Sequence, residues 1–558
     1  MQWRTFLTVL AALAATGAQA QDPADAARRA SVCLSPAGFD GAPRLLPGMG
    51  NYTWPLPNAT PQVQRWFNQG LILAWGFNFS AAEASFREAA RLEPACALCW
   101  WGVAYAAGPS VNHDMSADDR ARAADAMTRA VALAPAQDAR TRALIEAGAV
   151  RFAEPAQADR AAHDAAYAQA LARLTRQWPR DADLLSLHAE ALMVPQGRDY
   201  WRKDGRPQPW TEEILRILEA ALRAAPDHPG ANHLYIHALE DAPTARVAVA
   251  VASAQRLARV APGAGHLVHM PAHVYFRLGR YQEAVDANRA ALESDLAQFG
   301  ASPASAAYIA GYTDHNRHFL WASALMSGEA GLARQEAAML AQDAAQQGPG
   351  TAEHLRALPL YTAWRFGDWQ ALAQSPRPQP HHAYTDAAWR LGRAMAALRQ
   401  GQHGEAQREL AAARRDAEVV QRKGARLKNT NPLADLLAIA ADLVAAEIAL
   451  AQGRHDEALA LARAAVAAED KLDFDEPPAW HMPARQVLAA VLLDSGRPGQ
   501  AAQVLRADLA RHPDNPWALQ GLATALSAQG EARAAAKSKL AAQRTWRGAG
   551  KPPPHARY

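Results

Sequence analysis

The chain of 558 residues has only three cysteines, Cys33, Cys96 and Cys99. In an oxidising compartment Cys96 and Cys99 can bridge, which leaves Cys33 unpaired. A local bridge, or a pair of half-buried helix cysteines, is the preferred reading over a redox or metal role. The segment "CALCW" lacks the histidine that follows the second cysteine of a c-type haem attachment site, which argues against haem. Charge of one sign is equally scarce. The formal net charge is +3, and the arginines are interleaved with acids instead of gathered on one face, which argues against nucleic acid as a partner. No nucleophile elbow, phosphate loop or dinucleotide fingerprint occurs, so no nucleotide is implied and no catalytic residue is named. Little glycine and few alternating β-branched stretches leave no basis for a sheet domain.

What is present begins with a leader. "MQWRTFLTVLAALAATGAQA" has Arg4, an apolar run, and Ala18-Gln19-Ala20 as a small-residue cleavage pattern before Gln21. The run is too short to span a bilayer, and no later run is long enough. Cys33 is not preceded by a lipobox. These features predict a soluble exported protein, periplasmic or secreted, without a membrane span.

The rest is helical and repetitive. Half of the residues are apolar, enough for a substantial core. In residues 63–94, Trp66, Gly70, Ala82, Phe86, Ala89 and Pro94 stand at positions 4, 8, 20, 24, 27 and 32 of a segment that resembles a tetratricopeptide repeat. Small residues at 8 and 20 let two antiparallel helices approach, large ones fill the gap, and proline closes the second helix. Similar wording places further repeat starts near Ala97, Ala182, Pro229, Gly265, Asp314, Glu353, Asp386, Pro483 and Asn515, with insertions at 110–180 and 295–312. The predicted fold is all-α, a right-handed solenoid of such hairpins from about residue 60 to 545. Its expected divisions are a signal peptide (1–20), an irregular lead-in (21–60), His-rich repeats (61–375), C-terminal repeats (376–545) and a flexible tail (546–558).

Histidine is what the repeats concentrate. In "GAGHLVHMPAHVYFRLGRYQEA", His266, His269 and His273 take positions 2, 5 and 9 of the Gly265 repeat. His233 and His237 take 5 and 9 of the preceding repeat, His315 and His318 take 2 and 5 of the following one, and His354 takes 2 of the next. Glu190 is at position 9 of the Ala182 repeat. Those positions share one face of the first helix, which in tetratricopeptide proteins lines the concave groove. Successive first helices lie about 10 Å apart, so their side chains can converge. Pairs at i,i+4, such as His233/His237 and His269/His273, can chelate one ion from a single helix. Neutral imidazole suits Zn²⁺, Cu²⁺ and Fe²⁺, and Glu190 would complete a His-carboxylate set. The expected ligands are led by His233, His237, His269 and His273, then Glu190, His266, His315 and His318, with His354 last. A metal-free polar groove for an anionic or peptide ligand, and plain structural hydrogen bonding, remain the competing readings. His113 in a loop, the His381–His382 pair and His481 are expected to be structural or solvent-facing. The insertion "QGRDYWRKDGRPQPW", residues 196–210, follows the Glu190 helix and reads either as a cover over the site or as packing on the rim.

The wording of "HPGANHLYIHALE", "AGHLVHMPAHVYFRLGRYQEAV" and "HNRHFLWASAL" resembles a family of secreted bacterial tetratricopeptide-repeat proteins, from about residue 60 to 540. The resemblance implies the helical-repeat fold and carries no reaction with it. Two functions are therefore expected. One is a transition-metal site in the groove, the ion being carried or used for hydrolytic or oxidative chemistry, with a small-molecule or peptide ligand beside it. The other is a metal-free scaffold for a peptide or protein partner.

Overall fold

The computed structural model describes residues 43–558 except 113, 153–159, 300–307, 429 and 554. The signal peptide, Cys33 and His113 lie outside the described residues. From Pro61–Trp75 to Ala532–Thr545 the chain is a succession of antiparallel helical hairpins, each packed on the next. The Gly70 and Phe86 pairing shows why the repeat needs its small positions. A Cβ on Gly70 or Gly102 would lie 2.6 or 2.5 Å from the Phe86 ring, so glycine on two successive first helices seats that phenylalanine. Among the described residues β-structure is confined to a two-stranded ribbon, Arg426–Leu427 against Asn431–Pro432, and one bridge between Trp201 and Pro207. No helix among them is long and apolar enough to cross a membrane.

Three segments depart from the sequence reading. Residues 110–180, expected as an insertion, contain the regular helices Ala117–Leu133, Ala139–Arg151 and Arg160–Gln177, whose alanine-rich wording hid their register. The end of the chain, expected to be a flexible tail, is docked. Arg557 pairs with Glu447 at 2.8 Å and Asp494 at 2.7 Å, and the Tyr558 ring stands edge-on to Trp369. The described part of the lead-in is also packed: Trp54 is buried, Tyr52 donates to Asp183, and Gly263 N–H donates to the Gly48 carbonyl at 2.8 Å.

The superhelix also meets itself. Trp517 Nε1–H donates to the Leu325 carbonyl and Arg547 N–H to the Ser327 carbonyl, both at 2.9 Å. These contacts lay the last hairpins against those that carry the histidines. The loop 470–483 between Glu469 and Ala484 then runs inward, anchored where Lys428 Nζ donates to Asp475 and to the Glu476 carbonyl, at 3.1 and 2.7 Å.

Candidate metal centre

Three first helices carry the cluster. Pro229–Leu239 presents His233 and His237. The next is broken into Gly265–His269 and Pro271–Arg277 around Met270, since Pro271 has no N–H to donate, and it presents His266, His269 and His273. The third, Asp314–Ser327, presents His315. His233, His237, His266, His269 and His273 are all buried, and His315 is half-buried.

The ring nitrogens sort into two triads. In the first, one nitrogen each of His233, His237 and His266 lies within 4.8 Å of the other two. The second is the same arrangement of His269, His273 and His315. Twice a metal–imidazole bond of about 2.0–2.1 Å is about 4.2 Å, so both triads are close to the spacing an ion requires.

Hydrogen bonding fixes which nitrogens are free. His233 Nδ1–H donates to the Trp75 carbonyl at 2.5 Å, and His237 Nδ1–H to Glu240 at 3.1 Å. That leaves both Nε2 atoms as bare lone pairs, and neither has a partner; both nitrogens of His266 are likewise unpaired. A neutral His266 carries an N–H on one of those nitrogens and a lone pair on the other. Buried polar atoms left unpaired cost about 1–3 kcal/mol each, and a cation among the lone pairs removes that cost for them. In the second triad, Asn288 Nδ2–H donates to the Ala284 carbonyl, so its Oδ1 accepts from His269 Nδ1–H at 2.7 Å. His273 Nδ1–H points at Glu476 and, at 3.2 Å, at Glu240. His269 Nε2 is thereby a single lone pair faced by His273 Nε2 at 2.8 Å and His315 Nε2 at 3.1 Å. Imidazoles whose far nitrogen donates to a carboxylate, carbonyl or amide are oriented as metal ligands usually are.

Burial, and next the neighbouring imidazoles, hold His233, His266, His269 and His315 well below the ordinary histidine value, so they are neutral donors at pH 7. His237 is lowered too, because burial outweighs Glu240. His273 goes the other way: burial lowers it, but Glu476 and Glu240 together raise it. Burial pushes Glu240 up, yet His237 and Arg198 pull it well below the usual carboxylate range, whereas burial raises Glu476. Arg198 is in the 196–210 insertion and pairs with Glu240 while Trp201 of the same loop donates to the Ala238 carbonyl at 2.8 Å. The insertion thus both covers the site and packs on the end of the Pro229–Leu239 helix.

The remaining expected ligands lie elsewhere. Glu190 accepts from Tyr105 Oη at 2.8 Å, its pKa pushed up to about 7 by burial, and it joins neither triad. His318 turns away from His315 to stack on Trp321 and meet His354, 5.8 Å between ring centroids. His354 bonds the Tyr384 hydroxyl at 3.1 Å, and the buried His481 packs on Tyr361 and Trp480. His381 is a loop residue beside Asp386, as expected. Glu240, Glu476, Asn288 and Arg198 were not singled out from sequence. Glu240, three residues after His237, was within reach of helical spacing; Glu476, 203 residues from His273, was not.

A tetratricopeptide-repeat model matches residues 492–537. No curated protein matches the sequence. Among solved structures, the human IFIT1 dimer with m7Gppp-AAAA is similar at TM-score 0.29 and 12% identity, over 87% of this chain and 90% of that one. The Cut9–Hcn1 hetero-tetramer of the APC/C gives 0.26 and 12%, over 87% and 93%, and yeast Tom70 gives 0.27 and 12%, over 87% and 92%. Likenesses at that level carry no argument about function. The chain is an all-α solenoid of tetratricopeptide-like hairpins, and its chemistry is argued from the site.

Proposed function

We propose that this is an exported metal-binding helical-repeat protein that holds a transition ion, Zn²⁺, copper or Fe²⁺, on His233, His237 and His266. The observation that carries the reading is the set of buried, unpartnered nitrogens in that triad, with His233 and His237 oriented through Trp75 and Glu240. Three neutral imidazoles are donors for those ions and poor ones for Mg²⁺ or Ca²⁺. A peptide-binding groove would need these faces open. Here they are covered, which favours an ion over a peptide at this place. The leader before Gln21 supports export, as does the Cys96–Cys99 disulfide, a bond that persists in oxidising compartments.

The test is made on untagged protein recovered from the periplasmic fraction and reconstituted with each metal. Its N-terminus should be Gln21, and it should retain at least one equivalent of ion after desalting. His233→Ala/His237→Ala should lose that equivalent while keeping wild-type helix content by circular dichroism. Retention of no metal by wild type would sink the reading, and an unprocessed cytoplasmic chain would sink the export.

A further inference from the structure

The second triad is not a copy of the first, and it is not remote from it. The His266 and His269 rings lie 5.9 Å apart between centroids, and His237 and His273 lie 6.1 Å apart. Glu240 links the two sets non-covalently, through its carboxylate. It accepts from His237 Nδ1 at 3.1 Å and stands 3.2 Å from His273 Nδ1, so one side chain orients a ligand in each triad. His269 Nε2 offers one lone pair to two facing nitrogens. A proton on either neighbour satisfies only one of those contacts, whereas an ion at the centre of the three satisfies all of them.

We propose that His269, His273 and His315 hold a second ion beside the first, so that the interior contains a pair tied together by Glu240. The proposal rests on the reading of the first triad as a metal site. Charge points to the kind of pair. The carboxylates at the centre are Glu240 and Glu476, and Arg198 pairs with Glu240 and stands 4.0 Å from Glu476. Two divalent ions would leave this closed interior strongly positive, and uncompensated buried charge is costly. Two monovalent copper ions come close to neutrality, and six imidazoles are suitable donors for copper. Copper(I) is therefore the fitting occupant of both triads. The two positions differ in access, because His315 alone among the six is half-buried. The ion of the second triad is the more exchangeable one.

The experiment is an anaerobic titration of the metal-free full chain with Cu(I) against a chromophoric chelator. Two equivalents are expected for wild type, and one each for His266→Ala and for His315→Ala. Glu240→Gln, checked for intact helix content, should weaken both equivalents, each by about 10–100-fold, the usual effect of removing a partner of a ligating histidine. One equivalent in wild type, lost in His266→Ala and kept in His315→Ala, overturns the pair and leaves the single site standing. No equivalent in wild type overturns both. An effect of Glu240→Gln on only one equivalent overturns the shared hold.

Discussion

His315 and His318 are three positions apart on one helix, and they end in different surroundings. Residues at i and i+3 point about 60° apart around a helix axis, enough for His315 to meet the preceding first helix and His318 the following one. Register showed which face each histidine occupies; it did not show which neighbour each would meet. The site was therefore legible as a concentration of imidazole, with the first-ranked four all at its centre, while Glu190 and His318 belonged to other clusters. The environment of His354 gives a test at this scale. Burial, with Lys428 adding to it, lowers its pKa to about 3 from an ordinary 6.5. A histidine so depressed stabilises the fold fully above the unfolded pKa, and that contribution falls as pH drops, since the unfolded chain takes up a proton that the folded one refuses. His354→Gln can keep a hydrogen bond to Tyr384 and does not titrate. The stability difference between wild type and this variant should shift in the variant's favour by about 1.4 kcal/mol per pH unit below about pH 6.5. Chemical denaturation at several pH values measures it; a difference independent of pH would show that His354 titrates normally.

Element by element, the hairpins were legible wherever small residues, aromatic fillers and proline stops recur, as in 61–92 and 229–299. Two kinds of element were not. The Ala139–Arg151 and Arg160–Gln177 helices are rich in alanine and arginine and lack the glycine, phenylalanine and proline spacing of the 63–94 repeat, so no repeat position stands out. The 470–483 loop contributes Glu476 through a contact 203 residues distant, and periodicity carries no information about such contacts. The helix that carries His233 and His237 offers an element-scale test through Gly230, which sits against the Trp75 ring. A Cβ there would lie 2.4 Å from that ring, so Gly230→Ala must push the helix away from Trp75, whose carbonyl orients His233. Overpacking of this kind costs about 1–3 kcal/mol. The expected outcome is a lowered melting temperature together with weaker metal binding. Unchanged affinity with the same loss of stability would show that His233 does not depend on Trp75 for its position.

For the whole molecule, the closure of the superhelix on itself would, on the proposed metal-binding reading, decide how an ion enters and leaves. The turn between the His266–His273 helix and its partner packs on the turn between the Pro498–Arg511 and Pro516–Ala528 helices. At that seam Gly279 has φ +74°, and a Cβ on it would sit 1.8 Å from the Pro513 carbonyl oxygen. Gly279→Ala therefore strains the turn and parts the seam, while every ligand and every group that orients one stays in the chain. Equilibrium affinity depends mainly on those ligands; release rate depends on how often the interior opens. With excess chelator, wild type should release its ions slowly, limited by opening and hence independent of chelator concentration. Gly279→Ala should release them at least about tenfold faster, the effect of roughly 1.4 kcal/mol on the opening equilibrium. Its affinity at equilibrium should change by much less than its release rate. Stopped-flow release measured at several chelator concentrations separates the two quantities. If wild-type release is fast and rises in proportion to chelator, the ions are reached without opening, and the seam between the last hairpins and the histidine-bearing ones is not their gate.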